Sequence, residues 1–203
     1  MSCRAQVEAG HDVHLAYGPI HGPEGSLLEE AKASGATLHE IEPMVRELSP
    51  LNDWRCYCAL RKMVRELRPD MVHSHSSKAG ILVRAASWSK KNRVLRVVHT
   101  PGETWRPHES GPYVIHTVHG LPFHDEQSKF IHNLYVRLEK YAAKRCDHLI
   151  AITPAMVEAF VEKNIAPAEK FTVIPSGIDV AGFTPRPERR DTVRARYGIP
   201  SDA

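Results

Sequence analysis

The chain has 203 residues, 42% of them hydrophobic and 25% charged, and this composition is typical of a folded globular domain and excludes a disordered chain. Its formal charge of +3 comes from dispersed Lys and Arg with clusters at 90–96 and 186–196, which acidic lipid or nucleic acid could contact. We interpret both clusters as solvated surface, expect no nucleic-acid partner, and find neither a run of ~20 apolar residues nor an apolar signal core.

Predicted strands and helices alternate through the first half of the chain. Residues 1–9 have the pattern of the end of a helix, and strands are predicted at 12–17, 37–41 and 71–74. A helix at 24–34 is closed by Gly35. A second helix starts near Asn52 or Asp53 as caps and stops at Pro69, and a third runs from Ser76 or Ser77 to about residue 88.

The second half continues the same alternation. An apolar strand begins at Tyr113 and runs to Ile115, and apolar residues at helical spacing predict a helix that ends near Arg145. A strand at 148–152, a helix opened by Thr153 and Pro154, and a strand at 171–174 complete the pattern. Strands that alternate with helices predict an α/β fold, a Rossmann-like parallel sheet with helices on both faces.

Polar side chains follow three of these strands. The segments are DMVHSHSSKAG at 70–80, YVIHTVHGLPFHD at 113–125 and TVIPSGID at 172–179. Because ligands of open α/β sheets bind outside the carboxyl ends of the strands, we expect chemistry where these three segments meet.

Together the three segments resemble the amino-terminal, acceptor-side half of retaining family-four glycosyltransferases with the GT-B architecture. The resemblance implies a glycosyltransferase domain over 1–184 and a connector over 185–203 to a donor-binding domain that this chain lacks. It also implies truncation at both ends, because the family's first strand and glycine loop have no counterpart, and no GxGxxG motif occurs.

Two segments of the chain are near copies of each other, RVVHTPGE at 96–103 and YVIHTVHG at 113–120. The family has one such strand. We assign it to the second copy, because that copy continues into Leu121 and Pro122 as the family does. An insertion is therefore expected near 97–112, a stretch rich in Pro, Gly and charge.

The resemblance implies an enzyme that moves a sugar, with retention, from a nucleoside diphosphate sugar to a carbohydrate or lipid-linked acceptor. The nucleotide sugar is then the co-substrate, and no cofactor is expected. A cytoplasmic location at the inner face of the membrane, with peripheral contact, is predicted, and the fragment alone is predicted to be inactive. Two alternatives stay open: a non-catalytic acceptor-binding or split-enzyme module, and a GT-B sugar-nucleotide epimerase.

His119 is the predicted catalytic residue, because it follows a strand directly and precedes Gly120, which allows close approach to the backbone. The family's histidine at this position lies beside the transferred sugar and the acceptor. A histidine that only caps the strand is the alternative. Thr117 and Gly120 are predicted to bind substrate beside it.

Two further groups of residues are predicted to bind substrate. The first opens a helix whose free backbone N–H groups favour an anion, with serine capping as the alternative: His75, Ser76, Ser77 and Lys78. The second follows the last strand, where a simple turn is the alternative: Ser176 and Gly177. We expect Glu139 and Asp147 to be structural.

Thirteen histidines and four cysteines raise the question of a metal site. We expect His73 and His75 to face opposite sides of a strand, and the later histidines cross into a loop without an HExxH helix. No metal is therefore predicted. Reduced thiols, buried or half-buried, are expected at the four cysteines: Cys3, Cys56, Cys58 and Cys146.

Overall fold

The computed structural model describes residues 2–20, 26–88, 111–124, 126–178 and 187–200. Its strands are β1 (His14–Tyr17), β2 (Thr37–Glu40), β3 (Met71–Ser74), β4 (Tyr113–Val118), β5 (His148–Ala151) and β6 (Phe171–Val173). Its helices are α1 (Ser2–Glu8), α2 (Leu28–Lys32), α3 (Pro50–Leu67), α4 (Ser77–Ser87), α5 (Lys129–Ala143), α6 (Pro154–Glu162) and α7 (Pro187–Tyr197). Most of the predicted insertion, and the first near copy with its His99, lie outside these residues.

All strand pairs of the described residues are parallel, so the predicted α/β fold with a parallel sheet is confirmed. β3, β4, β5 and β6 form one sheet in that order, and β1 pairs with β2 in a second. In the larger sheet Ser74 is opposite His116, and Thr117 is opposite Ile150. Consecutive parallel strands need a crossover connection, and helices α5 and α6 follow β4 and β5 in this way.

The main core lies between β4, β5 and the helices that follow them. Val114 and Val118 of β4 pack in one cluster with Leu149 of β5, Ala143 of α5 and Phe160 of α6. A second cluster joins α3 to α4 through Cys56, Leu60 and Ala86. Alternate residues of β4 therefore lie inside this core, and this alternation fixes which side chains reach the end of the strand.

Four local predictions differ from the structure. β4 does not end at Ile115 but continues to Val118, because its alternating apolar residues keep packing on the helices. α3 begins at Pro50 behind Ser49, since proline suits the first turn of a helix. α2 is described only over Leu28–Lys32, and Cys58 is exposed on the outer side of α3.

Within the described residues, β1 pairs only with β2 and β3 only with β4, whereas β4 and β5 have partners on both sides. An unpaired strand edge leaves backbone amides open to water. We therefore expect hydrogen–deuterium exchange, followed by NMR or mass spectrometry, to be faster in β1 and β3 than in β4 and β5. Equal protection in all four strands would contradict this expectation.

Candidate functional site

A cleft of about 320 Å³ opens at the carboxyl end of β4. Five of the predicted site residues line it: Ser76, Ser77, Thr117, His119 and Gly120. Buried groups from the neighbouring helices form the deeper wall, namely Glu139 of α5 and Phe160 of α6. An added Cβ at Gly120 would meet no atom of the protein within 4 Å, so the space beside His119 is open to a ligand.

His75 and His119 are hydrogen-bonded to each other beside the cleft. Nδ1 of His75 lies 3.0 Å from Nε2 of His119, and the ring centroids are 5.2 Å apart. Both residues are exposed. Because β3 and β4 are adjacent and parallel, they end at the same edge and bring together two residues that are 44 positions apart.

His73 extends this contact into the sheet. Its ring centroid lies 4.3 Å from that of His75, and its Nε2 lies 2.7 Å from Oγ1 of the buried Thr117. The expectation that His73 and His75 face opposite sides is wrong, because side chains two positions apart on a strand share a face. His73, His75 and His119 form a continuous histidine row.

Two members of the histidine row, His73 and His75, are held uncharged at neutral pH. Burial lowers the pKa of His73, and the nearby His119 lowers it further. Burial, His73 and His119 together lower the pKa of His75 to about 4, even though one side of this residue is open to solvent. At neutral pH the rings of His73 and His75 therefore carry one proton each, and these two residues act through hydrogen bonds rather than through positive charge.

His116 also lines the cleft, and sequence reasoning did not select it as a site residue. It is 3% exposed, and its Nδ1 lies 3.0 Å from Oγ of Ser74, which donates to the Ile115 carbonyl at 3.2 Å. Burial, with the positive Arg84 nearby, lowers the pKa of His116 well below its usual range. The sequence signal for this residue was its position two residues from both Val114 and Val118, which places its side chain on the same face of β4 as these two valines.

Gly80 explains how α4 can pack over His116. A Cβ at this position would lie 2.4 Å from Cε1 of the His116 ring, so no larger residue fits without displacing the ring. The first turn of α4 is thereby held close to β4, beside the cleft.

The start of α4 has an unusual backbone. Ser76, at its N-cap, has φ 59° and ψ 153°, a region that is essentially restricted to glycine. No side chain makes a capping hydrogen bond there, so the predicted alternative of serine capping is not observed. The first N–H groups of α4 are therefore not capped by a side chain where Ser76 and Ser77 line the cleft.

Lys78 does not line the cleft. Its Nζ lies 2.5 Å from Oδ1 of Asp53 in α3, and donates to the carbonyl of Val45 at 3.0 Å and to that of Glu47. These contacts tie α4 to α3 and to the loop before it. Ser176 and Gly177 are also outside the cleft, in an exposed segment after β6. The binding roles predicted for these three residues stay predictions.

The contacts of Lys78 indicate a structural role that a variant can test. Lys78→Met removes the ammonium and leaves the half-buried Asp53 with only the Ser49 backbone N–H as a partner, so we expect the free energy of unfolding to fall by about 1–3 kcal/mol. Lys62→Met is the matched control, since its Nζ lies 3.8 Å from Glu66 Oε1 and both side chains are exposed. Denaturant unfolding measures the stability of both variants. Equal free energies of unfolding for Lys78→Met and Lys62→Met would contradict the prediction.

Glu139 and Arg84 form a buried ion pair behind the cleft. Nη2 of Arg84 lies 2.9 Å from Oε2 of Glu139, and Nε of Arg84 donates to the Gly80 carbonyl at 3.0 Å. The side chain of Arg84 is 0% exposed and that of Glu139 is 1% exposed. Burial raises the pKa of Glu139, and Arg84 opposes that rise. Asp147 accepts from the Val114 backbone N–H at 2.8 Å, which agrees with the structural role expected for it.

No set of three or more His, Cys, Asp and Glu side chains is arranged to hold a metal ion in the described ranges. Within the part of the chain that the structure describes, no helix combines the length and apolar character that a membrane span requires.

A model of the family described as Glycosyltransferase Family 4 matches residues 2–181. Over 159 residues the chain is 30% identical to the UDP-Gal:alpha-D-GlcNAc-diphosphoundecaprenol alpha-1,3-galactosyltransferase of Escherichia coli. This match covers 78% of the chain but 36% of the relative. The chain thus spans little more than a third of this curated relative.

Solved structures show the same fold. A glycosyltransferase from Rickettsia africae matches with a TM-score of 0.60 at 15% identity, over 99% of this chain and 45% of that one. HepE of Anabaena in complex with UDP-glucose matches with a TM-score of 0.60 at 16% identity, over 90% of this chain and 42% of that one. In both cases the chain corresponds to less than half of the solved protein.

Proposed function

Because this chain belongs to glycosyltransferase family 4, we propose that it supplies the acceptor-side half of an enzyme that transfers a sugar with retention. The donor is a nucleoside diphosphate sugar, and the acceptor is a carbohydrate or lipid-linked sugar. The observation that carries the proposal is His119, which lies with Gly120 at an open cleft and keeps its Nδ1 without a hydrogen-bond partner among the described residues.

Sugar transfer requires groups that position the acceptor hydroxyl and stabilise the charge that develops on the sugar and the leaving group. His119 can exchange a hydrogen bond with the acceptor or the transferred sugar through Nδ1. The first N–H groups of α4, beside Ser76 and Ser77, are suited to an anionic group of a substrate. Both sit on the carboxyl edge of the sheet, so one bound molecule can reach them together.

The choice of substrates is supported by the relatives. The Escherichia coli relative is named for UDP-Gal as donor and for an acceptor linked to diphosphoundecaprenol. HepE was solved with UDP-glucose. We extend these chemistries to this chain, as a uridine diphosphate sugar and a sugar carried on a lipid diphosphate.

A lipid-linked acceptor needs contact with the membrane surface, and one face of α3 is suited to it. We name this the α3 surface. It presents exposed apolar and basic side chains at helical spacing: Leu51, Trp54, Arg55, Lys62 and Arg65. Leu51 is 61% exposed and Trp54 is 64% exposed, and the basic residues complement anionic lipid. Asp53, in the first turn of α3, binds Lys78 of α4, so this end of α3 lies beside the first turn of α4, where Ser77 lines the cleft.

The transfer reaction is tested by completing the enzyme. We expect no product from the 203 residues with a panel of nucleotide sugars and a lipid-diphosphate-linked sugar. A fusion to the carboxy-terminal half of a family relative should form product. Robust turnover by the 203 residues alone would contradict the proposal that this chain supplies only the acceptor-side half of the enzyme. An inactive but folded fusion would contradict the proposed transfer reaction.

The same assay separates the two alternatives. An epimerase converts the nucleotide sugar without an acceptor, so isomerisation in the absence of acceptor would favour that reaction. A binding module retains affinity for the acceptor and yields no product with any donor domain.

Contact with the membrane is measured with vesicles. The chain should float with vesicles of phosphatidylcholine and phosphatidylglycerol and remain free with phosphatidylcholine alone. Trp54→Ser and the pair Lys62→Glu, Arg65→Glu should each weaken flotation. Unchanged flotation in both variants would show that the α3 surface is not the contact.

A further inference from the structure

We propose that His75 is a positioning residue for His119: it holds the His119 imidazole by one hydrogen bond and leaves Nδ1 of His119 as the nitrogen that meets a ligand. The contact is the 3.0 Å approach of His75 Nδ1 to His119 Nε2. This role differs from the direct substrate contact that the sequence predicts for His75. The effect of His75 on sugar transfer rests on the proposed function of His119. The hydrogen bond between the two residues does not depend on that function.

The hydrogen bond requires one proton between two facing nitrogens. Burial and the neighbouring rings of His73 and His119 lower the pKa of His75 to about 4, so near pH 7 its imidazole is neutral. If His75 donates from Nδ1, Nε2 of His119 is the acceptor, so the proton of His119 is on Nδ1 and offers a donor to the ligand. If His119 donates from Nε2, its Nδ1 offers a lone pair. In both arrangements the proton position on His75 determines what His119 presents.

His75 can hold its neighbour because it is itself held from the side of the sheet. The ring of His73 packs against it with centroids 4.3 Å apart, and His73 Nε2 lies 2.7 Å from Oγ1 of Thr117. Thr117 is 6% exposed and lies on β4. The histidine row therefore connects the exposed His119 to the buried part of the strand, which restricts the orientations of an otherwise exposed side chain.

The left-handed backbone of Ser76 immediately follows His75. Strained residues persist where the surrounding structure holds them in place. The chain thus turns sharply after β3, so that His75 points along the histidine row while Ser76 and Ser77 line the cleft.

Histidine NMR on the full 203-residue chain tests the contact without any assay of transfer. Long-range ¹H–¹⁵N spectra near pH 7 report which nitrogen of each ring carries the proton. We expect one tautomer for His119 in the parent chain, a mixture in His75→Ala, and a single tautomer again in His75→Asn, whose amide lies near the position of Nδ1. His148, bonded to Thr172 on neighbouring strands, is the internal reference. An identical His119 spectrum in parent and His75→Ala would overturn the proposal.

Kinetics of a completed enzyme provide the second readout. Misplacing a reacting group by about 1 Å can cost on the order of 100-fold in rate, so we expect His75→Ala to lower kcat by about 10- to 100-fold with little change in KM. His75→Asn should recover most of that loss. A higher KM with unchanged kcat would make His75 a substrate ligand and overturn its positioning role. An inactive fusion with the expected NMR changes would refute the proposed function and leave the positioning intact.

Discussion

In a completed enzyme, His119→Ala lowers kcat/KM by about 10²- to 10³-fold and leaves the stability of the domain nearly unchanged. Removing one preorganised polar group from a reacting centre costs about 2.7–4 kcal/mol of transition-state stabilisation. His119 is exposed and belongs to neither core cluster, so little packing is lost with it. Steady-state kinetics and thermal unfolding of the same preparation measure the two effects.

Two histidine variants serve as controls for this result. His148→Ala removes a histidine that lies on β5 and bonds Thr172, outside the cleft, and it should leave kcat/KM within about twofold. His99→Ala addresses the first near copy, which lies outside the described residues and is expected to be nearly silent. An essential His99 with a dispensable His119 would mean that the catalytic histidine was assigned to the wrong copy.

Glu139→Ala is expected to cause the largest loss of stability, about 3–5 kcal/mol, because it leaves the guanidinium of Arg84 buried without a carboxylate. Arg84 is 0% exposed and would keep only its bond to the Gly80 carbonyl among the contacts named above. In a domain of this size, such a loss lowers the unfolding midpoint on the order of ten degrees. Scanning calorimetry measures the shift.

The charge and the packing of this pair can be separated with two further variants. Glu66→Ala removes an exposed partner of Lys62 and should change stability by less than about 0.5 kcal/mol. The double variant Arg84→Met, Glu139→Leu replaces both charges with apolar groups and should recover much of the loss. A parent-like midpoint for Glu139→Ala would show that the buried pair does not stabilise the fold.

The sequence located the strand ends correctly in outline, and the structure shows which of them form one cleft. Ser76, Ser77, Thr117, His119 and Gly120 all line it. Their predicted roles in binding and catalysis stay predictions that the variants above test. The third strand end, with Ser176 and Gly177, lies outside the cleft, because its exposed segment follows β6 at the far edge of the sheet.

The fold class and the family were determined by the sequence alone, because they depend on local signals. Apolar runs of strand length, helical stripes, and proline or glycine at their ends act between near neighbours in the chain. The strand end at His119 and the alternation of strands and helices follow from such local signals. The shared face of His73 and His75 also follows from them, because the period of two along a strand implies it.

Only the tertiary structure decided the pairings between distant residues. Lys78 belongs to the segment predicted to bind an anion, yet its ammonium binds Asp53 and two loop carbonyls. His75 meets His119 across 44 residues, and Arg84 meets Glu139 across 55. Such contacts depend on the register of β3 against β4 and on how closely α4 packs over His116 at Gly80. Strand register and helix packing are fixed by long-range packing rather than by local sequence.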